Sequence, residues 1–508
     1  MKKDNFLKNS ILLTISNSTT GVLKFVFSII LSRELGAEGM GLYALIMPIY
    51  DLFACLTCGG MMTALSKESS LYQGRDDYVS LHKSVHISLV FDFIWSLLIV
   101  IFVFMNSRYI SINIIKDTRS LQSLIFICPA LIFLSLSSII KGYFYGTSRV
   151  NIPSIIDILE KTVRIAVTIL AIRVLPHKEI QGTVSVVYGA LSAGEFISFI
   201  LLYIFYRLNK NKDIKISNTN FSKEGRAQLL FNILIMAVPL CVNGFLSTAL
   251  SAISTLILPR RLLIAGFTHT TALEMIGKFS GMALTIIFFP LIIVTSMSIV
   301  LIPDLAETLE KKDYFNLESR IRDVLKISFL LGISTLIICF SIPNLLGKLF
   351  FAREDLTLYI KVAAICAPFS YTAATTFSIL NGLGKQGVLL RNSIIMSIEE
   401  VILLYVLTSI PSINILGYGL SLTITSITSL IMNMYEIKKK LYINFSLEEI
   451  FIDILISLLV YFSLNIINFL IPNTFFKFKT VILIFMGFLL FFLLYFVINK
   501  TIKKESVY

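Results

Sequence analysis

The chain has 508 residues, of which 56% are hydrophobic and 15% are charged, and its formal net charge at pH 7 is +13. An average soluble domain carries roughly 25% charged residues, so this composition excludes an ordinary water-soluble protein and indicates a chain that lies in lipid. The basic excess would suggest nucleic-acid binding on a soluble face, but the cations cluster in the loops between apolar segments, so we expect no nucleic-acid partner.

About fourteen apolar segments are long enough to cross a bilayer as helices, which need about 20 mostly apolar residues each. Strict alternation of apolar and polar residues, which would indicate membrane strands, is absent from them. In chain order the predicted spans are 10–31, 40–66, 84–105, 121–145, 153–175, 182–206, 228–258, 273–302, 323–343, 357–380, 388–410, 415–436, 450–471 and 480–499. We therefore predict an all-α integral membrane protein with about 14 transmembrane helices.

The spans fall into two blocks of six and a final pair. Gly142 and Glu160 in the first block match Gly382 and Glu400 in the second, which indicates that the blocks are copies of one unit. Transporters often move two such repeats around a site between them. We predict an N-terminal six-helix lobe over 1–206, a cytoplasmic linker over 207–227, a C-terminal six-helix lobe over 228–436, and an extra helix pair with the C-terminal tail over 437–508.

The distribution of basic residues predicts the orientation in the membrane. With loops assigned to alternate sides, the side that holds both termini has about 26 Lys and Arg, and the other side has about 12. Because basic loops stay in the cytoplasm, both termini are predicted to be cytoplasmic. The first span lacks a small-residue cleavage site, so we expect it to be retained.

No metal, redox or nucleotide site is expected. The six cysteines are interpreted as small hydrophobic side chains, because they lie within or at the edge of apolar segments. His82 and His86 have the spacing of two metal ligands, but they lack a neighbouring third ligand and lie at a span edge, so we place them on an interfacial face. No stretch between spans exceeds about 20 residues, which leaves no room for a nucleotide-binding domain. We therefore predict no cofactor, and expect any driving force to come from an ion gradient, the membrane potential or the substrate gradient.

Ionisable side chains inside the spans are functional candidates, because each costs about 2.5 to 3.5 kcal/mol to insert into a bilayer. The richest set is in the fifth span, where Asp157, Glu160, Lys161 and Arg164 fall on one helical face. Their spacing predicts that Asp157 pairs with Lys161, and Glu160 with Arg164. Either the second pair lines a polar cavity, or the whole set is a self-neutralised helix end near the headgroups.

Other spans carry charges without a local partner. Lys24 has no acid one turn away, so it either lines a cavity or extends its amine toward the headgroups. Asp51, Asp92 and Glu195 are similarly isolated, and a cation from another helix, such as Lys24, is the expected partner.

Two further sets lie in the second block. Glu274 and Lys278 are spaced i, i+4 at the start of the eighth span, which fits a surface pair or a cavity pair. Glu399 and Glu400 have no local cation, although Arg391 lies two turns earlier, so we expect at least one of them to be paired across helices or protonated. The predicted substrate-cavity residues are Lys24, Asp51, Asp92, Glu160, Arg164, Glu195, Lys278 and Glu400.

Short motifs carry a family resemblance. Residues 31–43 read LSRELGAEGMGLY, and MPIY at 47–50, FFP at 288–290 and LIP at 301–303 extend the match. With these motifs the chain resembles the stage V sporulation protein B type of polysaccharide transporters, in the superfamily that also holds MATE exporters and lipid II flippases.

That resemblance implies two six-helix lobes that face each other in a V, an added helix pair, and alternating access for an undecaprenyl-linked sugar in a bacterial cytoplasmic membrane. It also implies a role in spore cortex peptidoglycan during sporulation, with membrane lipids and cell-wall synthesis proteins as partners. Lipid II flippases carry several arginines in the first helix, whereas this first helix offers Lys24 and the boundary residue Arg33.

The sequence keeps several functions open. The leading hypothesis is a flippase for a lipid-linked, pyrophosphate-bearing glycan, because an anionic headgroup crossing a low-dielectric barrier needs cations such as Lys24, Arg164 and Lys278. The alternative is a cation-coupled MATE-like multidrug exporter, whose cationic substrates would favour acids such as Asp51 and Glu400. A membrane-bound enzyme normally has a long extracytoplasmic loop with catalytic groups, and no outer loop is long enough here, so we predict that the chain is not an enzyme. A structural scaffold is the remaining alternative.

Overall fold

The computed structural model describes residues 2–174, 179–216, 225–311, 313–439, 441–442, 447–472 and 476–505. Most of these residues are helical and no strand occurs among them, which confirms the predicted all-α class. The α-helices, numbered in chain order, are α1 Lys2–Cys58, α2 Met61–Gly74, α3 Tyr78–Tyr109, α4 Leu121–Gly146, α5 Asn151–Val174, α6 Ile180–Ile216, α7 Arg226–Ile264, α8 His269–Ile276, α9 Leu284–Phe288, α10 Leu291–Glu310, α11 Tyr314–Ser341, α12 Pro343–Phe351, α13 Thr357–Ala364, α14 Ala367–Gly382, α15 Gln386–Leu407, α16 Leu416–Lys438, α17 Leu447–Leu470 and α18 Phe476–Glu505.

Two glycines interrupt the N-terminal helices. Gly36 has φ 66° and ψ −172° inside α1, so the first two predicted spans meet at a sharp break without a separate loop. The second predicted span, 40–66, is broken at Gly60, which has φ 75° and precedes α2. A Cβ atom at Gly60 would collide with the carbonyl oxygen of Ala237 on α7. The position therefore requires glycine, and the span consists of two helical segments.

The eighth and tenth predicted spans are also interrupted. The eighth, 273–302, contains a π-helical turn at Gly277–Ala283 and a break at Pro290, whose ring nitrogen has no hydrogen to donate. The tenth, 357–380, is the pair α13 and α14, which are bent by 42°. Broken helices are tolerated at membrane depth only where neighbouring protein or water satisfies the freed backbone groups. The two interrupted segments pack against each other, with α13 against α9 and against the π-helical turn.

Within the described residues, nine helical segments are long and apolar enough to cross a membrane, or ten if α13 and α14 form one span. The chain is therefore a multi-pass membrane protein. One of these segments, Ile11–Gly74, contains two predicted spans, and the count of about 14 is consistent with the helices present. The number itself stays a prediction.

Helix occupies part of the predicted linker over 207–227. The sixth helix continues to Ile216 and α7 begins at Arg226, while 217–224 lie outside the described residues. The sequence does not indicate this helix, because the stretch has no apolar pattern. The extension of α6 is stabilised instead by polar contacts, which are described below.

Contacts divide the chain into two compact units, 1–27 with 34–257, and 28–33 with 258–508. The part of α7 before residue 258 packs with the first unit, whereas the sequence analysis begins the C-terminal lobe at 228. The predicted lobe boundaries stay a prediction. In the first unit α4 packs against α2, α3 and α6, and in the second α14 packs against α10, α11 and α16.

The two units contain the same close helix contact. Gly142 of α4 lies against α2, where an added Cβ would come within 2.8 Å of the carbonyl oxygen of Met62. Gly382 of α14 lies against α10, where the corresponding distance to the carbonyl oxygen of Ile302 is 3.0 Å. One offset of 240 residues relates both glycines and both partners. This supports the predicted repeat and makes α4 and α14 equivalent helices.

Candidate functional site

A network of acidic and basic side chains lies inside the first unit, on α4, α5 and α6. On α5, a guanidinium nitrogen of Arg164 is 2.6 Å from Oε1 of Glu160, which confirms this predicted ion pair, although the contact lacks hydrogen-bond geometry. The same nitrogen lies 3.2 Å from Oε1 of Glu195 on α6. Glu160 is 3% exposed and Glu195 is 5% exposed. These charges are therefore removed from bulk solvent.

Lys141 on α4 is a cation that the sequence analysis missed. Its Nζ lies 2.6 Å from Oδ1 of Asp157, and Lys161 pairs instead with its chain neighbour Glu160. The predicted pair of Asp157 with Lys161 is wrong, because Lys141 from an adjacent helix pairs with the Asp157 carboxylate instead. A lone lysine near the end of the fourth predicted span was the available signal. The charged network consists of Lys141, Asp157, Glu160, Lys161, Arg164 and Glu195.

A glycine on α6 allows α5 to carry these charges so close to it. A Cβ atom at Gly194 would lie 2.9 Å from Oε1 of Glu160 and 3.5 Å from Cβ of Arg164. The first distance is shorter than real Cβ contacts, so any larger residue would push the carboxylate away. Gly194 therefore shapes the network although it carries no charge.

The network pairs three cations with three carboxylates. The Nε atom of Arg164 is buried and has no hydrogen-bond partner, so the guanidinium keeps one unused donor. Tyr43 and Tyr50, from the motif region, lie within electrostatic reach of this guanidinium. Guanidinium groups bind carboxylates and phosphates by the same charge-assisted hydrogen bonds.

Lys24 and Asp51 both lie on α1 with exposed side chains, and the charge of Lys24 acts on the carboxylate of Asp51. Lys24 and Asp51 therefore interact electrostatically, and neither belongs to the charged network. Their role in a substrate cavity stays a prediction.

Asp92 on α3 is completely buried. Its Oδ2 accepts a hydrogen bond from the hydroxyl of Ser135 on α4, and its Oδ1 has no hydrogen-bond partner. No ion pair to Asp92 occurs in the described part of the chain, so the expected cation partner is replaced by a hydroxyl.

Lys278 belongs to a group of charges in the second unit. Its Nζ lies 2.9 Å from Asp355 and 3.7 Å from Glu274, and the latter contact confirms the predicted i, i+4 pair. Arg353 also pairs with Asp355, at 2.8 Å. The hydrogen bond from Arg353, opposed by partial burial and supported by Lys278, holds the pKa of Asp355 well below its usual range. Glu274 and Asp355 are 45% and 43% exposed, which favours the surface reading of this pair.

Glu399 and Glu400 lie on α15 and are partly buried. Oε1 of Glu399 accepts a hydrogen bond of 2.9 Å from Thr428 on α16, and Oε2 has no partner. Arg391 pairs with Glu436 at 3.0 Å, so it is engaged elsewhere. Among the predicted cavity residues of the first unit, ion pairs join Glu160, Arg164 and Glu195. The assignment of all eight residues to a substrate cavity stays a prediction.

A second polar cluster, around the extension of α6, was missed. Asp213 accepts hydrogen bonds from Tyr143, at 2.6 Å, and from Arg149, and lies 3.5 Å from Nε2 of His82. His82 is buried rather than interfacial, and its Nδ1 is 3.3 Å from the hydroxyl of Tyr206. Burial raises the pKa of Asp213. The approach of His82 and the hydrogen bonds from Arg149 and Tyr143 outweigh burial and hold this pKa well below its usual range. This cluster ties the extension to α3, α4 and the loop after α4.

Comparison with known proteins places the chain in a family. Its sequence matches the model of the polysaccharide biosynthesis protein family over residues 6–309. Stage V sporulation protein B of Bacillus subtilis (strain 168) is 24% identical over 449 residues, which cover 88% of this chain and 86% of the relative. The lipid II flippase MurJ of the same organism is 21% identical over 464 residues, which cover 85% and 82%.

Solved structures show the same fold. The lipid II flippase MurJ in an inward closed conformation has a TM-score of 0.72 at 16% identity, and the match covers 97% of this chain and 99% of that one. An inward-facing multidrug resistance MATE family transporter of the MOP superfamily has a TM-score of 0.68 at 14% identity, covering 85% and 98%. The family model matches more than half of the sequence. The chain belongs to the polysaccharide biosynthesis protein family.

Proposed function

We propose that this protein is a flippase that moves a lipid-linked oligosaccharide or peptidoglycan precursor across the bacterial cytoplasmic membrane by alternating access. The family membership and the fold shared with the lipid II flippase MurJ support this proposal. The role is in cell-wall synthesis, and the likeness to stage V sporulation protein B favours the spore cortex.

The observation that carries the proposal is the buried charged network with an unused donor on Arg164. A pyrophosphate in a medium of low dielectric constant interacts strongly with nearby cations, and without them its desolvation is costly. Lys141, Lys161 and Arg164 supply this charge. Because carboxylates neutralise them in the absence of substrate, the site is stable when empty. Binding of the headgroup then exchanges one anionic partner for another.

The remaining assignments follow from this function. The lipid chain of the substrate stays in the bilayer while its headgroup crosses. The partners are membrane lipids, the undecaprenyl-linked sugar and cell-wall synthesis proteins. The protein performs transport rather than catalysis, and both termini lie in the cytoplasm.

A cation-coupled MATE-like exporter is the second candidate. The carboxylates of Asp92 and Glu399, which each have one buried oxygen without a hydrogen-bond partner, are compatible with it. Such groups suit a bound proton, metal ion or cationic drug. They suit a coupling ion in a flippase equally, so they do not by themselves favour drug export.

The test is transport in proteoliposomes of a fluorescent polyprenyl pyrophosphate that carries a sugar. We expect Arg164→Gln to reduce its movement by about tenfold or more, since one charged contact is worth about 1.5 to 3 kcal/mol. Arg173→Gln is the matched control, because Arg173 lies on the same helix with an exposed side chain. Equal rates for wild type and Arg164→Gln would remove the network from the proposed mechanism.

A further inference from the structure

A small open pocket lies on the second unit, between α10, α14 and α16. Its volume is about 350 Å³, within the range of about 300 to 1,000 Å³ typical of small-molecule sites. None of the described residues that line it is charged. The hydroxyl groups at its wall belong to Thr295, Ser298, Ser378 and Ser429, and we call this cavity the hydroxyl pocket.

The hydroxyl pocket presents mainly hydrogen-bond acceptors. The hydroxyls of Thr295 and Ser298 each donate to a carbonyl of their own helix, at 3.0 Å. The Ser378 hydroxyl donates to the Ser298 oxygen at 2.7 Å. The Ser429 oxygen accepts from the side-chain amide nitrogen of Asn433 at 3.5 Å. A hydroxyl has one hydrogen and two lone pairs, so each of these oxygens keeps accepting capacity. Ser429 accepts from Asn433 and keeps its own hydrogen, so the pocket suits a ligand that brings several donors and can also accept one hydrogen bond.

The equivalent position in the first unit carries an aromatic ring. The offset of 240 residues that relates Gly142 to Gly382 makes Phe133 on α4 the counterpart of Ala373 on α14. The ring of Phe133 packs against Phe196 on α6, with 4.8 Å between ring centroids. Ala373 has no ring and lines the pocket instead. At this position the first copy of the repeat has a packed aromatic ring and the second has a methyl group.

The same offset shows a difference in charge. Lys141 of the charged network has Asn381 as its counterpart, and Arg164 has Leu404, so these cations of the first unit are absent from the second. At the rim of the hydroxyl pocket, Phe377 is 44% exposed. An exposed aromatic face beside neutral acceptors suits a ring with apolar C–H bonds and polar hydroxyls. An anion is disfavoured there, because nothing in the described wall neutralises it.

We propose that the hydroxyl pocket binds a sugar ring of the transported glycan, through donation from its hydroxyl and acetamido groups to the serine and threonine oxygens. This inference rests on the proposed function and concerns the sugar part of the substrate alone.

The test compares two probes on the full-length protein in nanodiscs: a polyprenyl pyrophosphate with an N-acetylhexosamine, and the same lipid without the sugar. Ala373→Phe restores the ring found at Phe133, and Ser378→Ala removes one acceptor. We expect Ala373→Phe to weaken binding of the glycosylated lipid by about tenfold or more, because a filled pocket excludes the sugar. We expect Ser378→Ala to weaken binding of the glycosylated lipid by about two- to tenfold, which is the effect of one lost hydrogen bond.

Binding of the bare lipid should change by less than about twofold in both variants. Ser409→Ala is the control, because this exposed hydroxyl lies outside the pocket and bonds to a carbonyl of its own chain. If Ala373→Phe does not fold, Ser378→Ala carries the test. Equal weakening of both lipids, or no weakening of the glycosylated one, would overturn the inference while leaving the proposed function intact. Failure of the wild type to bind either lipid would overturn both.

Discussion

Arg164 on α5 reaches across to Glu195 on α6, with 3.2 Å between guanidinium nitrogen and carboxylate oxygen. This ion pair joins two helices whose charges are far apart in the sequence. Together with Glu160, one turn before Arg164, it gives the arginine two carboxylate partners at a buried position. The network is thus both a structural tie and the proposed binding site.

The first prediction concerns stability of the Glu160 and Arg164 pair. Glu160→Gln or Arg164→Gln alone should destabilise the protein by about 3 to 5 kcal/mol, because each leaves a buried charge without its partner. The double variant should lose less than the worse single variant, since the charges it leaves, Lys161 and Glu195, again balance each other, whereas each single variant leaves the network with one excess charge. Folded yield and melting temperature of the purified protein measure this order. A double variant no better than the worse single one would mean that the two charges are not coupled.

The second prediction uses the glycine that lets α5 and α6 meet. Gly194→Ala should displace Glu160 and cost about 1 to 3 kcal/mol by overpacking, with a loss of transport. Gly189→Ala, on the same helix, is the matched control, because its nearest neighbour would be at an ordinary distance of 3.7 Å. Transport rates and melting temperatures of both variants decide the matter. The same loss in both would assign the effect to helix α6 as a whole.

The third prediction is a pH dependence from Asp213, which lies outside the apolar part of α6. Its folded-state pKa is lowered, so it stabilises the protein above the unfolded value of about 3.9, and this contribution disappears as the pH falls through the folded value. Asp213→Asn should therefore lower the melting temperature at pH 7. The difference in melting temperature between wild type and variant should stay constant from pH 8 to pH 5. The difference should shrink only below about pH 4. A gap that closes between pH 8 and pH 6 would assign the effect to another titrating group.

The fourth prediction is the orientation of the termini. A tag at the C-terminus should be protected from protease in intact cells and cleaved after the membrane is opened, because the basic loops face the cytoplasm. A tag in the loop between α5 and α6 serves as the exposed control. Cleavage of the C-terminal tag in intact cells would contradict the predicted topology.

Features with a local sequence signature could be predicted. The apolar segments gave the all-α membrane class, and the i, i+4 spacing gave the Glu160–Arg164 and Glu274–Lys278 pairs. The matching close contacts at Gly142 and Gly382 support the repeat that the sequence predicts. These features depend on neighbours in the chain or on a repeated pattern.

Features that depend on packing between helices could not be predicted. The ion pair between Lys141 and Asp157 requires α4 to lie beside α5. The spacing of residues along one helix does not predict which helices are neighbours. Asp213 was assigned to a linker because its stabilising partners are distant in sequence. The break at Gly60 follows from the approach of α7, since glycine is required there by Ala237. The hydroxyl pocket is likewise a space between helices.

The most direct test of the account is a comparison of two cargoes in liposomes that contain the purified wild-type protein. One is a fluorescent lipid-linked oligosaccharide, whose access to an external quencher reports its movement between leaflets, and the other is a cationic dye. We predict that the protein exposes the protected pool of the lipid-linked oligosaccharide faster than empty liposomes do, and that it does not move the dye. Movement of the dye without movement of the lipid-linked oligosaccharide would contradict the account and establish drug export instead.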